Sequence, residues 1–461
     1  MSVKRQNPEW DSKISKQGEA LEDVEGANEP HMVPANVESL AETEHMMEEI
    51  LEPENLSKAL HRVLKNKGAP GVDGMKIDEL EAFLAEAGNT VKQLLLESRY
   101  QPKPVRRVEI EKPGGGIRQL GIPCVVDRFI QQAVLQVLQK RWDSTFSNSS
   151  FGFRPNRSQH QAVEQAQKYV SSGLSIVVDI DLEKFFDRVN HDILMSKIAK
   201  RIRDKRVLKL IRSYLNAGMM EDGVKVSQDD GVPQGGPLSP LLSNLMLDEL
   251  DKELERRKLS FVRYADDCNI YVRSQRAGER VLSSISNFLA KKLRLKVNEA
   301  KSAVGKPSQR KFLGFSFTRG PKIRRRIAPQ SIQKFKLRIQ ELTCRKRGGT
   351  LPQIIKELSK YMKGWLNYFG YCETPSVLDK LQQWVRRKLR CIIWKRWRRS
   401  STRFERLRAM GLSILHAREG AGNGSRGPSW RMSLSPPMAA AFPIAYFRSL
   451  GLPDLVCHSS A

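Results

Sequence analysis

The sequence predicts an α+β fold in which helices back an antiparallel sheet. The segment Phe261-Val-Arg-Tyr-Ala-Asp-Asp-Cys-Asn-Ile-Tyr-Val272 has two apolar runs around a tight polar turn, which is typical of a β-hairpin. The apolar run Ile176-Val-Val178 predicts a buried strand with carboxylates at its end. Helical stretches and the Gly-rich loop 231–240 lie between these segments, and a further strand is predicted at 311–317.

The composition indicates a globular protein with a polyanionic partner. The 461 residues can bury a large core, and 40% of them are hydrophobic. The formal net charge of +28 is far outside the ordinary range, so nucleic acid is the leading candidate partner. Neither a membrane span nor a signal peptide is supported, and we expect a cytoplasmic protein. The six cysteines include no Cys-x-x-Cys pair, so structural zinc is not expected.

The charge is unevenly distributed along the chain. Residues 1–50 hold 4 Lys/Arg against 12 Asp/Glu and show little apolar periodicity, so we interpret them as a mostly disordered segment. Residues 319–410 hold 26 Lys/Arg against 5 Asp/Glu and are predicted to be largely helical. So many like charges destabilise one another without a bound polyanion.

Two segments in the first third combine glycines with cations. A helix predicted from Glu54 ends at the loop Asn66-Lys-Gly-Ala-Pro-Gly-Val-Asp-Gly74, which is either a plain connector or, through Lys67, a phosphate contact. Residues 105–123 predict a mobile hairpin with Lys112 and Arg118 near its tip. Two such cations can hold a triphosphate, and an exposed hairpin with ordinary surface charges fits equally well.

Three further segments have both a structural and a functional interpretation. Phe151-Gly-Phe-Arg-Pro155 is either a template contact through Arg154 or a structural corner. Phe185 and Phe186 follow the predicted strand, where one can pack in the core while the other faces the site. In the loop 231–240, adjacent glycines allow close backbone approach and let Gln234 reach a base or sugar edge; a helix N-terminus without a ligand is the alternative.

The candidate metal site depends on carboxylates from separate strands. Asp266 and Asp267 at the hairpin tip repel each other unless a cation or hydrogen bonds compensate them, although a solvated turn is the alternative for the hairpin alone. The period of two places Asp179 and Asp181 on one face at the end of the predicted strand, without deciding which of them is a ligand. Three converging carboxylates match in-line phosphoryl transfer between two Mg²⁺ ions.

These segments, in this order, resemble the conserved blocks of a group II intron-encoded reverse transcriptase/maturase, of the bacterial type that lacks an endonuclease domain. The segments that carry the resemblance are Lys67-Gly-Ala-Pro-Gly-Val-Asp-Gly74, Pro233-Gln-Gly-Gly-Pro-Leu-Ser-Pro240, Tyr264-Ala-Asp-Asp267 and Phe312-Leu-Gly-Phe315. The resemblance implies a right-hand polymerase fold with fingers and palm at 51–320, a helical thumb and maturase-specific domain at 321–410, and a C-terminal tail at 411–461 without an endonuclease.

The resemblance also implies roles for individual residues. Asp181, Asp266 and Asp267 bind two Mg²⁺, Asp179 is an accessory carboxylate, and Lys301 protonates the leaving pyrophosphate. Phe186 excludes a ribonucleotide 2′-OH. The other substrate-binding residues are Lys112, Arg118, Gln234, Tyr264 and Ala265. The expected RNA-binding residues are Lys67, Arg154, Arg386, Arg387, Lys388, Lys395, Arg396, Arg398 and Arg399.

The implied activity is RNA-directed DNA polymerisation, together with binding of the group II intron RNA to promote splicing and retrohoming. The implied partners are this intron RNA, an RNA template with a DNA primer, dNTPs and a DNA target site, whereas no membrane partner is expected. Two alternatives remain: a splicing-only maturase with a vestigial polymerase site, and a reverse transcriptase domesticated for defence. The sequence leaves the oligomeric state open.

Overall fold

The computed structural model describes residues 43–111, 117–221, 224–226, 230–233, 235–344, 348–422 and 429–456 of the chain. Two predicted substrate-binding residues, Lys112 and Gln234, lie outside the described residues, and Arg118 is described in its backbone only. Most of the segment predicted to be disordered, up to residue 42, lies outside them as well.

The chain joins the core earlier than the sequence predicted. Helix α1 (Met46–Ile50) lies in the segment interpreted as disordered, yet Met46, Met47 and Ile50 are fully buried. Asp204 accepts a hydrogen bond from the Met47 N–H at 2.9 Å and ties this helix to the core. Placing all of residues 1–50 in a disordered segment is therefore wrong for α1. A five-residue helix is too short to show apolar periodicity in the sequence.

Within the described residues, eight further α-helices precede, back or flank the sheets. They are α2 (Pro53–Asn66), α3 (Leu80–Leu96), α4 (Val125–Trp142), α5 (Gln159–Ser171), α6 (His191–Ala199), α7 (Lys205–Leu215), α8 (Ser239–Arg256) and α9 (Gln275–Phe288). Helix α8 has buried residues on most of its surface, because apolar side chains occur almost all round it between Leu241 and Leu254. It lies inside the core beneath the central sheet.

Three sheets are present in the described part of the chain. The first has the order β2 (Ile117–Ile122), β1 (Val105–Glu111), β4 (Met219–Glu221) and β5 (Val224–Val226). The central sheet has the order β6 (Ser260–Tyr264), β7 (Asp267–Val272), β3 (Ile176–Ile180) and β8 (Ala303–Gly305), with every neighbouring pair antiparallel. The third pairs β9 (Phe315–Phe317) with β10 (Arg325–Ile327). The predicted antiparallel sheet backed by helices is confirmed, and with it the α+β class.

Alternate residues of the central sheet face two different cores. Ile176 and Val178 of β3 pack into a core shared with α4 and α8, whereas Val177 packs into a second core with α5 and the C-terminal helices. Side chains two residues apart on a strand point to the same side. Asp179 therefore lies on the face of Val177, at the edge of the second core.

The C-terminal part of the described chain is helical. Its helices are α10 (Pro329–Leu342), α11 (Leu351–Phe369), α12 (Pro375–Arg396), α13 (Ser400–Ala409), α14 (Ile414–Ala421), α15 (Ser429–Met432), α16 (Pro436–Ala441) and α17 (Ile444–Ser449). Phe335, Trp365 and Trp394 of these helices are buried in the second core. No helix in the described ranges combines the length and apolar character needed to cross a bilayer.

Candidate active site

The hairpin of β6 and β7 ends in a two-residue turn that carries one of the paired aspartates. Tyr264 and Asp267 form the last pair of the ladder, so Ala265 and Asp266 make the turn itself. Ala265 has a φ of 58°, a left-handed conformation that costs a residue with a side chain about 1–2 kcal/mol. Contacts from the surrounding structure must therefore hold the turn in place.

A buried arginine forms such contacts on the core side of the turn. Arg263 is only 1% exposed, and its guanidinium forms two hydrogen bonds with the carboxylate of Asp251 on α8, at 2.7 and 2.6 Å. The same guanidinium donates to the carbonyl oxygen of Ala265 at 2.9 Å and to Oδ1 of Asn244 at 3.0 Å. The backbone of the turn is thus bound directly to an ion pair inside the core.

The segment before α5 packs against the other side of the turn. Asn244 donates a hydrogen bond to the carbonyl oxygen of Gly152 at 2.8 Å, and the Phe151 N–H donates to the carbonyl oxygen of Arg263 at 2.9 Å. A Cβ atom added to Gly152 would lie 2.2 Å from the backbone nitrogen of Ala265. Only glycine allows so close an approach.

Arg154, predicted as a possible RNA contact, is used inside the protein. Its side chain is buried and forms an ion pair with Asp143 at 2.9 Å. It also donates to the carbonyl oxygens of Ser147 at 2.6 Å and Ser150 at 3.0 Å. With its donors turned inward, Arg154 is a structural corner, and the prediction that it binds RNA is wrong.

The carboxylates predicted to bind metal lie at the ends of neighbouring strands. Ile180, the last residue of β3, pairs with Cys268 of β7 in antiparallel register. Continuing that register by one residue places Asp181 beside Asp267, next to the turn that holds Asp266. The backbone of Asp181 is fixed from the other side, because its N–H donates to the Ser302 hydroxyl at 2.9 Å.

The electrostatics of this site are dominated by negative charge. Burial, followed by the charges of Asp266, Asp179 and Asp181, raises the pKa of Asp267 to about 6. The Asp267 side chain still reaches solvent, so a cation can approach it. Clustered carboxylates are the hard oxygen ligands that Mg²⁺ prefers, and the donor set fits that ion. As placed, however, no three His, Cys, Asp or Glu side chains within the described ranges form a ready-made metal cluster.

Asp179 has a partner within the protein. Arg310 donates to its Oδ2 at 2.7 and 3.2 Å and also to the carbonyl oxygen of Lys301 at 2.8 Å. Burial raises the pKa of Asp179, and Arg310 opposes that shift. The ion pair with Arg310 makes Asp179 the weaker candidate ligand of the two aspartates that the sequence left undecided.

Two other predicted residues are Lys301 and Phe186. The exposed Lys301 has its Nζ 3.8 Å from Oδ1 of Asp181. Phe185 is buried, whereas Phe186 is only partly buried and packs edge-on against it with ring centroids 5.2 Å apart. The carbonyl oxygen of Phe186 accepts a hydrogen bond from the N–H of Val232 at 2.6 Å, which joins it to the Gly-rich loop. Phe185 is thus a core residue and Phe186 lies at the edge of the core, which is one of the two arrangements compatible with the sequence.

Two families match the chain in succession. Residues 110–317 match the family described as reverse transcriptase (RNA-dependent DNA polymerase), and residues 332–411 match the group II intron, maturase-specific domain. The two matches, in this order, confirm the predicted resemblance to a group II intron-encoded reverse transcriptase/maturase.

Relatives in this family match part of the chain. Protein YkfC of Escherichia coli (strain K12) is 41% identical over 217 residues, which are 46% of this chain and 57% of that protein. The group II intron-encoded protein LtrA of Lactococcus lactis subsp. cremoris is 36% identical over 215 residues, which are 46% of this chain and 36% of that protein. The chain thus spans less than two thirds of either relative. A solved partial Cas6-RT-Cas1–Cas2 complex aligns with a TM-score of 0.35 at 25% identity, over 53% of this chain and 42% of that one.

The basic residues predicted to bind RNA differ in exposure. Lys67, Lys395, Arg396, Arg398 and Arg399 are exposed, whereas Arg386, Arg387 and Lys388 on α12 are partly buried. The Arg387 guanidinium stacks over the Trp430 ring at 3.7 Å and donates to the Trp430 carbonyl oxygen at 3.0 Å. Arg387 is therefore partly used in packing.

Several residues that shape the site were missed from the sequence. A visible signal existed for Arg263, because it is a charge within an otherwise apolar strand, whereas Asp251 lies in a charged stretch of α8 and gave no such signal. No such signal existed for Arg310, Asn244 or Gly152. Their partners are distant in sequence, and only the folded chain brings them together.

Proposed function

We propose that this chain is an RNA-directed DNA polymerase that also binds a group II intron RNA as a maturase. The observation that supports polymerisation is the placement of Asp181, Asp266 and Asp267 at the adjacent ends of β3, β6 and β7. Its substrates are an RNA template with a DNA primer and dNTPs, and a DNA target site completes the retrohoming reaction. Binding of the intron RNA supports splicing.

In the proposed chemistry, the three carboxylates, Arg263 and Lys301 have different roles. Asp181 and Asp266, with Asp267, hold two Mg²⁺, which stabilise the attacking and leaving oxygens when bound. Arg263 keeps Asp266 in place through the Ala265 carbonyl oxygen. Lys301, whose Nζ is 3.8 Å from Asp181, donates a proton to the leaving pyrophosphate.

Selection of the nucleotide depends on the remaining residues that the family resemblance implies. The ring of Phe186 excludes a 2′-OH and so favours dNTPs. Lys112 and Arg118 bind the triphosphate, Gln234 lines the nascent pair, and Tyr264 supports the turn beside the primer end.

We assign residues 51–320 to the fingers and palm, 321–410 to the thumb and maturase-specific domain, and 411–461 to a C-terminal tail. The 26 Lys/Arg against 5 Asp/Glu in residues 319–410 support an RNA partner for the second of these. Lys395, Arg398 and Arg399 are exposed and available to it.

Primer extension on an RNA template with Mg²⁺ tests the polymerase assignment. Asp266→Asn removes the proposed ligand charge, and we expect it to abolish dNTP incorporation while RNA affinity stays near that of the unmodified protein. Asp192→Asn on α6 changes an 82% exposed carboxylate with no proposed role in the site and serves as the matched control. Normal extension by Asp266→Asn contradicts the metal assignment. RNA binding without extension by the unmodified protein favours a splicing-only maturase.

A further inference from the structure

The turn that carries Lys301 is bound at both ends to Asp181. At one end, the Asn298 N–H donates to the Asp181 carbonyl oxygen at 2.8 Å. At the other end, the Ser302 hydroxyl accepts from the Asp181 N–H at 2.9 Å and donates to the Asp181 carbonyl oxygen at 3.3 Å. The Lys301 N–H donates to the Asn298 carbonyl oxygen at 3.2 Å, which closes the turn. The backbone of Lys301 therefore lies between two fixed points beside a candidate metal ligand.

Arg310 makes a further contact with this turn. Its Nη2 donates to the Lys301 carbonyl oxygen at 2.8 Å and to Oδ2 of Asp179 at 2.7 Å, and its Nε donates to the same Oδ2 at 3.2 Å. The Arg310 N–H donates to the Lys306 carbonyl oxygen at 3.2 Å, so its own backbone is part of a turn. One guanidinium thus joins the backbone of Lys301 to Asp179 on β3.

Asp179 is a rigid anchor for that guanidinium. It lies within the central sheet, where β3 pairs with β7 on one side and with β8 on the other. The amide of the buried Asn269 on β7 donates to Oδ1 of Asp179 at 3.1 Å, in the orientation that satisfies both polar atoms of the amide. Both carboxylate oxygens of Asp179 thus have partners inside the protein, and Arg310 cannot move without breaking an ion pair whose side chains are 28% and 23% exposed.

We propose that Arg310 is a positioning residue that keeps the ammonium group of Lys301 beside Asp181. The inference rests on the proposed function, in which Lys301 is the proton donor. The Lys301 side chain is 66% exposed, and the 3.8 Å between its Nζ and Oδ1 of Asp181 is longer than a hydrogen bond. An exposed pair of this kind contributes little on its own. The position of the ammonium group therefore depends on how firmly the backbone of Lys301 is held.

The proposed reaction step requires an accurately placed donor. The primer 3′-hydroxyl loses its proton to water and its oxygen bonds to the α-phosphorus. The bond from that phosphorus to the pyrophosphate oxygen breaks, and the proton of Lys301 passes to that oxygen. A displacement of about 1 Å at a reacting group can cost roughly 100-fold in rate. Loss of the Arg310 contact therefore slows the proton transfer without removing the donor.

Zero-length cross-linking of the full chain, without metal, nucleotide or RNA, tests the position of Lys301. A water-soluble carbodiimide joins an amine to a carboxylate where the two groups touch, and peptide mass spectrometry gives the yield of the Lys301–Asp181 amide. This yield is divided by that of the Lys168–Glu164 pair on α5, whose Nζ–Oε1 distance is 3.3 Å. We expect Arg310→Lys to lower the ratio severalfold, because lysine keeps the charge but cannot replace the three hydrogen bonds of the guanidinium.

Arg257→Lys is the matched control for this substitution. The Arg257 side chain is 27% exposed, against 28% for Arg310, and it forms an ion pair with Glu253 on α8. We expect this variant to leave the cross-link ratio unchanged. Thermal melting checks that all variants fold.

Primer extension with two dGTP analogues gives a second measurement. A β,γ-difluoromethylene bridge makes the leaving bisphosphonate more acidic than a β,γ-methylene bridge does, so its departure depends less on a proton donor. We expect Arg310→Lys to raise the ratio of the two extension rates severalfold, towards the ratio of Lys301→Ala, which lacks the donor. A purely structural defect slows extension with both analogues alike.

The double variant Arg310→Met/Asp179→Asn separates position from charge. Arg310→Met alone leaves the carboxylate of Asp179 without its partner and is expected to be less stable than the double variant. We expect the double variant to regain stability in urea denaturation but to keep the low cross-link ratio. Recovery of that ratio would mean that Arg310 acts only by neutralising Asp179, which overturns the inference.

Failure of this inference and failure of the proposed function give different results. An unchanged cross-link ratio in Arg310→Lys overturns the inference, whatever the extension rates are. An analogue ratio that rises in Lys301→Ala but not in Arg310→Lys overturns it as well. An analogue ratio that stays unchanged in Lys301→Ala contradicts the proton-donor role in the proposed function, and the cross-link ratio still decides whether Arg310 positions Lys301.

Discussion

Arg263 and Asp251 form a fully buried ion pair directly beneath the turn that carries Asp266. Their side chains are 1% and 0% exposed, and the two hydrogen bonds between them measure 2.7 and 2.6 Å. The remaining donor capacity of Arg263 goes to Ala265 and Asn244. A charge pair in the core thus has a local function, which is to set the position of the turn that carries Asp266.

We predict that Arg263→Lys lowers kcat for primer extension more than it raises KM for dNTPs. Lysine keeps the charge but cannot bind Asp251 through two N–H groups while also reaching Ala265. Steady-state kinetics with Mg²⁺ measure the separate changes in kcat and in KM for dNTPs. A variant with unchanged kcat contradicts a positioning role for Arg263.

Asp251→Asn tests the same pair from the other side. It leaves the Arg263 charge buried without its partner, which is expected to cost about 3–5 kcal/mol of unfolding free energy. Urea denaturation measures the change, with Asp192→Asn as the exposed control. A loss below 1 kcal/mol, which is roughly the value of a surface pair, would show that Arg263 finds another partner.

Gly152→Ala is predicted to impair polymerisation by moving the turn. The new Cβ would lie 2.2 Å from the Ala265 nitrogen, so the backbone of one of the two segments must shift. A displacement of about 1 Å at a reacting group can cost roughly 100-fold in rate. In the control Gly88→Ala, the nearest atom is the Leu84 Cβ at 3.9 Å, and the helix α3 is expected to gain about 0.5–1 kcal/mol. Full activity of Gly152→Ala would show that the contact is not rigid.

The local features of this site were predictable from the sequence. The hairpin 261–272 is set by two apolar runs and a two-residue turn, and the position of Asp181 follows from the end of a short buried strand. Both signals lie within a few residues of the feature they predict. For Phe185 and Phe186 the sequence left open which ring is buried, and the structure buries Phe185.

The features that failed depend on contacts between distant parts of the chain. Arg154 is a residue type that often contacts RNA. In the folded chain, however, its N–H groups donate to Asp143 and to the carbonyl oxygens of Ser147 and Ser150. Asp179 and Asp181 are equivalent by spacing, and the ion pair of Asp179 with Arg310, far along the chain, could not be predicted from it. Helix α1 is too short to be stable by itself. Packing of its buried side chains and the hydrogen bond to Asp204 stabilise it.

Phe186→Val is predicted to relax selection against ribonucleotides. The partly buried ring lies at the edge of the core, and a shorter side chain there leaves space for a 2′-OH. Primer extension with matched dNTP and NTP concentrations gives the ratio of incorporation, which we expect to shift toward NTPs. Phe185→Leu alters the buried neighbour and is expected to lower stability while leaving this ratio unchanged. The same shift in both variants would point to a general loosening of the site.

A buried carboxylate away from the site gives a prediction for pH. Burial raises the pKa of Asp127 to about 6, although hydrogen bonds from Tyr100 and from the Lys103 N–H oppose the shift. The unfolded chain titrates near the ordinary value of about 3.9, so the folded state binds this proton more tightly. The contribution of Asp127 to stability is therefore present below about pH 4 and is lost as pH rises through 6.

Asp127→Asn removes this titration. Between pH 4 and 7 the unmodified protein should lose about 2–3 kcal/mol of unfolding free energy relative to the variant. Urea denaturation at several pH values measures the difference between the two proteins, which cancels the titration of all other groups. A difference that stays constant across this range would mean that Asp127 keeps an ordinary pKa in the folded state. A difference that grows in the opposite direction would mean that Tyr100 and the Lys103 N–H stabilise the charged carboxylate more than burial disfavours it.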